Sequence, residues 1–355
     1  MTLELLVPSK HELHSPPSYH PERPERIEIA IKGLEEAGFE VKVVHPEIRG
    51  PEIIKKVHEG AYVEHLRRIC GERPGFIDAD TYVTRHSFEV ALEAASCAYE
   101  AAERVAEGEA LSISLARPPG HHAGRSGRAM SCATLGFCLI NNSALAAARL
   151  LERGFSPVLM LDFDLHHGNG TQEIFWYNPE VIHIDLHDAF EYPGTGKPED
   201  LGGGVARGTK VNVPIFPESG DREYAFILER VIIALADRFK PKVLVLSAGF
   251  DAHEGEGMGY LSLSSNLYWQ MGSFLREVTE QFGIRGTVVV LEGGYSEGLK
   301  HGLPSFLRGL SGMSGEKIKG ELAEGSRQYG VLISLRKLLE DAVDGLRIEV
   351  GKSLY

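Results

Sequence analysis

The chain has 355 residues, of which 43% are hydrophobic and 25% charged, and its formal net charge is −13. This composition excludes a disordered chain, and the length fits one α/β catalytic domain spanning residues 1–355. The acidic balance argues against nucleic acid, whose phosphates are gripped by clustered Lys and Arg, and favours a cationic partner.

Met1 to Val7 is acidic and apolar and breaks at Pro8, so it lacks the basic start of a secretory signal. No apolar run reaches the length of a membrane span. The four cysteines (Cys70, Cys97, Cys132, Cys138) form no CxxC pair, which excludes a zinc ribbon and a disulfide framework. The expectation is a soluble cytoplasmic protein without a membrane partner. Nothing in the sequence sets an oligomeric state.

In chain order, a Pro-rich segment from Ser15 to Pro24 leads into a helix that Pro24 could begin, and Ser87 to Glu107 reads as a long helix. His14 and His20, amid these prolines, read as turn or surface residues. From about residue 110 onward short β-branched runs alternate with helical periodicity, the pattern of a parallel sheet covered by helices. The predicted strands are Leu111 to Leu115, Val158 to Leu161, Val181 to Leu186, Val243 to Leu246 and Val288 to Leu291. The predicted helices between them are Asn141 to Arg153, Tyr224 to Phe239 and Asn266 to Phe282. Gly202 to Gly208 lacks the Gly-Lys-Ser/Thr ending of a phosphate loop and reads as a flexible loop near the cleft. Ser311 to Gly320 reads as a surface loop before a last amphipathic helix.

In such sheets ligands bind at the carboxyl ends of the strands, and polar residues collect after each run. Asp162, Asp164 and His166 alternate with Phe163 and Leu165, so an extended strand would point the three polar side chains one way. Asp164, His166 and Asp251 could then bind one divalent metal in an open site. Taken alone, Asp-x-Asp-x-His is equally an ordinary polar loop. His121 and His122 follow a rigid Pro-Pro-Gly turn suited to positioning a general base. Tyr295 follows Gly293-Gly294 and could offer a phenol to an oxyanion, or pack over a loop.

Together, RPPGHHA (117–123), GFC with INN (136–142), LDFDLHHGNGTQ (161–172), PGTG (193–196), AGFDAH (248–253) and LEGGY (291–295) resemble the histone deacetylase and acetylpolyamine amidohydrolase superfamily, which includes acetoin-utilisation relatives. HPERPERI (20–27) resembles its N-terminal signature. The resemblance covers about residues 10–310 and leaves 311–355 as a helical tail.

It implies a single-domain arginase/deacetylase-like fold with an eight-stranded parallel sheet sandwiched by helices, and a zinc-dependent deacetylase. By resemblance Asp164, His166 and Asp251 hold one zinc ion per chain, His121 and His122 are the tandem catalytic histidines with His122 the base, and Tyr295 stabilises the oxyanion. Asp162 orients His121, and Asn169 stands where several relatives carry an aspartate paired with the base. Gly136, Phe137, Tyr192 and Met258 belong to the substrate tunnel. Tyr192 replaces the usual Phe, so its hydroxyl could contact a substrate. Some relatives also hold potassium. Here the corresponding serine position is Asp185, which leaves potassium open.

The implied substrate is an acetylated lysine in a peptide or protein, with an acetylated polyamine as the alternative. Met258 stands where a dedicated polyamine enzyme of the family places an acidic gatekeeper, although Glu254 and Glu256 are close in sequence. An inactive acetyl-binding module and a di-metal ureohydrolase on the same fold are the readings from other classes.

Overall fold

The computed structural model describes residues 1–350. Eight strands form one sheet: β1 (Thr2–Leu6), β2 (Glu40–Val44), β3 (Leu111–Ser114), β4 (Val158–Asp162), β5 (Val181–Asp188), β6 (Lys210–Ile215), β7 (Val243–Ala248) and β8 (Thr287–Leu291). Their spatial order is β6-β5-β4-β7-β8-β3-β1-β2. Every neighbouring pair is parallel.

The nine α-helices among the described residues are α1 (Glu25–Glu36), α2 (Gly60–Glu72), α3 (Ser87–Glu107), α4 (Asn142–Glu152), α5 (Asn169–Ile174), α6 (Asp221–Phe239), α7 (Ser265–Phe282), α8 (Leu303–Leu310) and α9 (Arg327–Ala342). Asn141, Ser264 and Ser326 cap α4, α7 and α9 by accepting the backbone N–H three residues on. No helix of the described residues is long and apolar enough to cross a membrane.

The central strands read as continuous apolar runs because both faces are covered. Leu159 and Leu161 pack with α1, α6, α7 and α8, whereas Val158 and Met160 pack with α2, α3 and α4. Period-2 alternation within each strand thus feeds two separate cores. Leu332, Leu335 and Leu339 of α9 join the first of these.

Three strands lie outside the sequence expectation. β1 and β2 hide in the N-terminal third, where Thr2-Leu-Glu-Leu-Leu and Glu40-Val-Lys-Val-Val carry charges on solvent-facing positions and look unlike the central runs. β6 contains Pro214, which an edge strand tolerates because one side of its backbone has no ladder partner. The Gly202 to Gly208 segment is not near the cleft. It precedes β6 and so lies at the amino-terminal edge of the sheet, where Gly203 N–H donates to Trp176 O at 2.8 Å. The chain must cross to that edge because β6 runs parallel to β5.

β4, β7, β8 and β3 are adjacent in the middle of the sheet. The residues that follow them therefore meet at one place: 117–122 after β3, 162–169 from β4, 249–251 after β7 and 292–295 after β8.

Candidate active site

β4 stays extended only to Asp162, so the run of alternating residues does not continue as a strand. Phe163 and Leu165 still bury into the core, but the polar side chains part company. Asp162 turns to His121, whose Nδ1 lies 3.0 Å from its Oδ2. Asp164 and His166 instead meet Asp251 from the neighbouring strand end. His166 Nδ1 is 3.2 Å from Asp164 Oδ1 and 3.1 Å from Asp251 Oδ2.

The ligand atoms of Asp164, His166 and Asp251 all lie within 4.8 Å of one another. Backbone N–H groups fix both carboxylates: Gly293 donates to Asp164 Oδ2 at 2.7 Å, and Leu165 to Asp251 Oδ1 at 2.9 Å. Residue 293 must be glycine here, because a Cβ would stand 2.3 Å from Asp251 Oδ2 and 2.5 Å from Asp164 Oδ2.

Burial and the Asp164 charge push the Asp251 carboxyl up to about 6. Burial opposes the charged form of His166, yet hydrogen bonds to Asp164 and Asp251 push it up to about 10. Two carboxylates face one imidazole, a buried surplus of negative charge that a divalent cation would balance. The donor set fits zinc.

The 117–122 segment is fixed from beneath by Glu292, a residue within the LEGGY motif that sequence reasoning did not single out. Its Oε2 accepts Gly120 N–H at 2.7 Å and His121 N–H at 3.1 Å, and its Oε1 accepts the Ser143 hydroxyl at 2.7 Å. The His121 and His122 rings stand 4.0 Å apart in sharply different surroundings. Burial of His121 is outweighed by the carboxylates of Asp162 and Asp164, which hold it well above the usual histidine range. Burial, reinforced by His121 and His166, holds His122 well below that range.

His122 Nδ1 is 2.8 Å from Asn169 Oδ1, while the Asn169 amide donates to Ala129 O at 3.2 Å. An amide oxygen only accepts, so His122 carries its proton on Nδ1 and keeps Nε2 free as a base.

A narrow cavity of about 150 Å³ opens above these groups, lined by His122, Phe137, Tyr192, Met258 and Tyr295 among others. Gly136 and Phe137 adopt left-handed backbone, with φ of 54° and 69°. At Gly136 a Cβ would come within 2.5 Å of His122 and 2.7 Å of Tyr192, so this wall closes only on glycine.

The Tyr192 hydroxyl donates to Thr134 O at 3.0 Å, tying one wall to the other. It is thereby engaged with the protein itself, unlike the substrate contact considered from sequence. Tyr295 is nearly buried, its ring centroid 5.9 Å from that of Phe137. Burial and the charge of Asp251 keep its phenol well above the ordinary range, so it remains an O–H donor.

His14 and His20 are not surface residues. His14 is buried, stacks on Tyr82 at 4.3 Å and pairs with Ser87. His20 is buried edge-on to Phe137 at 4.5 Å and bonds Asp80 O through Nε2 at 2.9 Å, bracing the cavity wall. The prolines between them stay at or near the surface, while Arg117 donates to the carbonyls of His11 and His14 and draws the backbone at these histidines inward.

Arg26 of HPERPERI is also buried. It donates to Gly294 O at 2.7 Å and to Glu292 O, and its guanidinium lies 4.7 Å from the Tyr295 ring centre. Once buried, an arginine must find carbonyl or carboxylate partners, but nothing local in the sequence announces the burial.

Asp185, where potassium was left open, lies with Asp162 and His183 in a second group whose ligand atoms are within 4.8 Å of one another. Its Oδ2 accepts Gly168 N–H at 2.8 Å, and its Oδ1 is 2.7 Å from His187 Nδ1.

The family model for the histone deacetylase domain matches residues 20–309. The chain belongs to this family. It is 38% identical to a probable deacetylase of Archaeoglobus fulgidus, over 81% of this chain and 79% of that one. Among solved structures it is similar to the HDA15 HD domain, with a TM-score of 0.83 and 29% identity over 96% of each chain. It is also similar to the acetylpolyamine aminohydrolase of Burkholderia pseudomallei, with a TM-score of 0.76 and 29% identity over 89% of this chain and all of that one. The eight-stranded parallel sheet flanked by helices is the fold that these matches share with it. The protein is therefore a deacetylase-type amidohydrolase of the histone deacetylase family.

Proposed function

We propose that the protein removes acetyl groups from N-acetylated lysine side chains. The observation that carries this reading is the convergence, at the floor of one narrow cavity, of a carboxylate-rich ligand set, a neutral histidine and a buried phenol. Asp164, His166 and Asp251 would hold one zinc ion per chain, which when bound supplies Lewis acidity toward the acetyl carbonyl and the attacking water.

His122 takes a proton from that water at Nε2 while the water oxygen adds to the carbonyl carbon. Asn169 keeps the imidazole in the required tautomer. Tyr295 donates its O–H to the oxyanion, an effect worth on the order of a hundredfold in rate. His121, oriented by Asp162 and raised by the neighbouring carboxylates, favours positive charge beside the reacting centre. When the C–N bond breaks, His122 returns its proton to the departing amine, leaving acetate and a free amine. Phe137 and Tyr192 flank the methylenes of the incoming side chain. Potassium, if taken up, would use the oxygens of Asp162 and Asp185.

Lysine is preferred to a polyamine because Met258 lines the cavity at the gatekeeper position and Glu256, the nearer of the two acidic neighbours to it in sequence, is bonded to backbone N–H groups. The likeness to an acetylpolyamine aminohydrolase makes small acetylated polyamines the second reading. The complete histidine, tyrosine and ligand set weighs against an inactive binding module. The four free cysteines, three of them buried, accord with a reducing cytoplasm.

The test is turnover of a fluorogenic acetyl-lysine peptide against acetylputrescine and acetylspermidine by zinc-loaded protein, with Tyr295→Phe and His122→Ala as controls. The peptide is expected to be preferred. Preference for the polyamines reverses the substrate assignment, and turnover of neither returns the binding module.

A further inference from the structure

Four polar groups of the turn that carries Tyr295 converge on one side chain of another loop. Glu256 Oε1 accepts the backbone N–H of Tyr295 at 3.0 Å, of Ser296 at 2.8 Å and of Gly298 at 2.8 Å. Its Oε2 is 3.1 Å from the Ser296 hydroxyl, which donates to it. Glu256 stands on the loop after β7, beyond Asp251 and just before Met258, whereas the turn follows β8.

The turn has no ladder of its own at these positions. The residues after Leu291 have left β8, and the backbone passes through a positive φ of 106° at Gly294. Its N–H groups therefore depend on Glu256, and hydrogen bonds to a carboxylate are roughly twice as strong as neutral ones. On the other side, Arg26 takes the carbonyls of Glu292 and Gly294. A base thus holds the C=O groups and an acid holds the N–H groups of one short stretch.

The far end of the Glu256 segment is pinned as well. Asp188 Oδ2, at the end of β5, accepts Tyr260 N–H at 2.9 Å and Leu261 N–H at 3.1 Å. The loop from Glu256 to Leu261, with Met258 in its middle, is fixed at both ends by carboxylates.

We propose that Glu256 is a positioning residue for Tyr295: by holding the backbone of residues 295, 296 and 298 it sets where the phenol stands above the cavity. This rests on the reading of Tyr295 as the oxyanion donor. The same bonds give Glu256 Oε1 three backbone donors and Oε2 the Ser296 hydroxyl, so its charge is directed at the turn. A donor displaced by about an ångström loses on the order of a hundredfold in rate, which puts the expected cost of losing Glu256 in that range.

The experiment is a double-mutant cycle of Glu256→Ala with Tyr295→Phe on the zinc-loaded protein, joined to amide hydrogen exchange over residues 292–299. Glu256→Ala should lower kcat about 10- to 100-fold with KM changed less than about threefold, because the lost interaction acts in the transition state. In the Tyr295→Phe background the same substitution should change kcat less than about threefold. Glu256→Gln, whose amide oxygen still accepts, should restore most of the activity. Exchange should quicken at residues 295–298 and stay unchanged along β4.

Equal losses in both backgrounds, a loss confined to KM, or unchanged exchange each overturn the proposal. Full activity of Tyr295→Phe alone would instead remove the oxyanion reading, and the exchange measurement would still decide whether Glu256 holds the turn.

Discussion

Two clusters of buried charge lie at the same end of the sheet and are built on opposite principles. In the N-terminal cluster Glu22 is surrounded by Arg117 at 2.8 Å, Arg26 at 3.3 Å and the Tyr82 hydroxyl at 2.8 Å, with His14 beside it. Two guanidinium groups meet one carboxylate, and their remaining N–H groups reach carbonyls of residues 11, 14, 292 and 294. Burial alone would raise the Glu22 carboxyl, but Arg117 and the histidine hold it far below the usual range. In the ligand cluster, Asp164 and Asp251 share one imidazole: burial would raise Asp164 but His121 and His166 hold it low, while burial and the Asp164 charge push Asp251 upward. The first cluster draws its partners from the polypeptide itself. The second leaves a ligand set that a cation would complete. Buried charge with all its partners organises the fold, whereas buried charge in surplus marks a binding site.

The largest expected effect breaks the second cluster. Asp251→Asn keeps an acceptor for Leu165 N–H but removes a ligand charge, so it should lower kcat/KM on the order of a thousandfold and reduce zinc content measured by elemental analysis. In chelator-treated protein the same variant should melt no lower than the parent, because the repulsion between Asp164 and Asp251 is relieved. A lower Tm without metal would show that this cluster, too, is structural.

The converse break is Glu22→Gln. Removing one partner of a paired buried ion costs about 3 kcal/mol or more, to be read from denaturant unfolding. The sign with pH follows from the depressed carboxyl. The contribution of Glu22 is present in full above the ordinary carboxylate range and is lost as pH falls toward its lowered folded value. A variant as stable as the parent at neutral pH would erase the contrast between the clusters.

The smallest effect sharpens the role of His122. Asn169→Asp supplies a carboxylate that stabilises imidazolium, so the His122 pKa rises and the acidic limb of the kcat/KM profile moves to higher pH by about one unit. An unmoved limb would separate Asn169 from the base.

Much of this site was legible because its residues sit directly after apolar runs, where a parallel sheet must place its ligands. Asp164, His166, Asp251, His121, His122, Tyr295, Phe137 and Tyr192 were all named from motifs, and they line or floor the same cavity. Glu292 and Arg26 lay within quoted motifs, yet their burial against backbone groups has no local signature. Glu256 reads in sequence only as an acidic neighbour of Met258, and its hold on the Tyr295 turn gives no signal, since its partners are some forty residues away in sequence.

The sequence by itself determined the sheet-and-helix alternation, the central strands and the identity of the chemical groups, because periodicity and residue type are local properties. Only the tertiary structure decided which strands are neighbours, that Asp162 parts from Asp164 and His166, and that His14 and His20 turn inward. It also decided that two adjacent histidines are pushed in opposite directions, His121 above and His122 below the usual histidine range. Those outcomes depend on burial and on the charges facing each group across the fold, which distant segments supply.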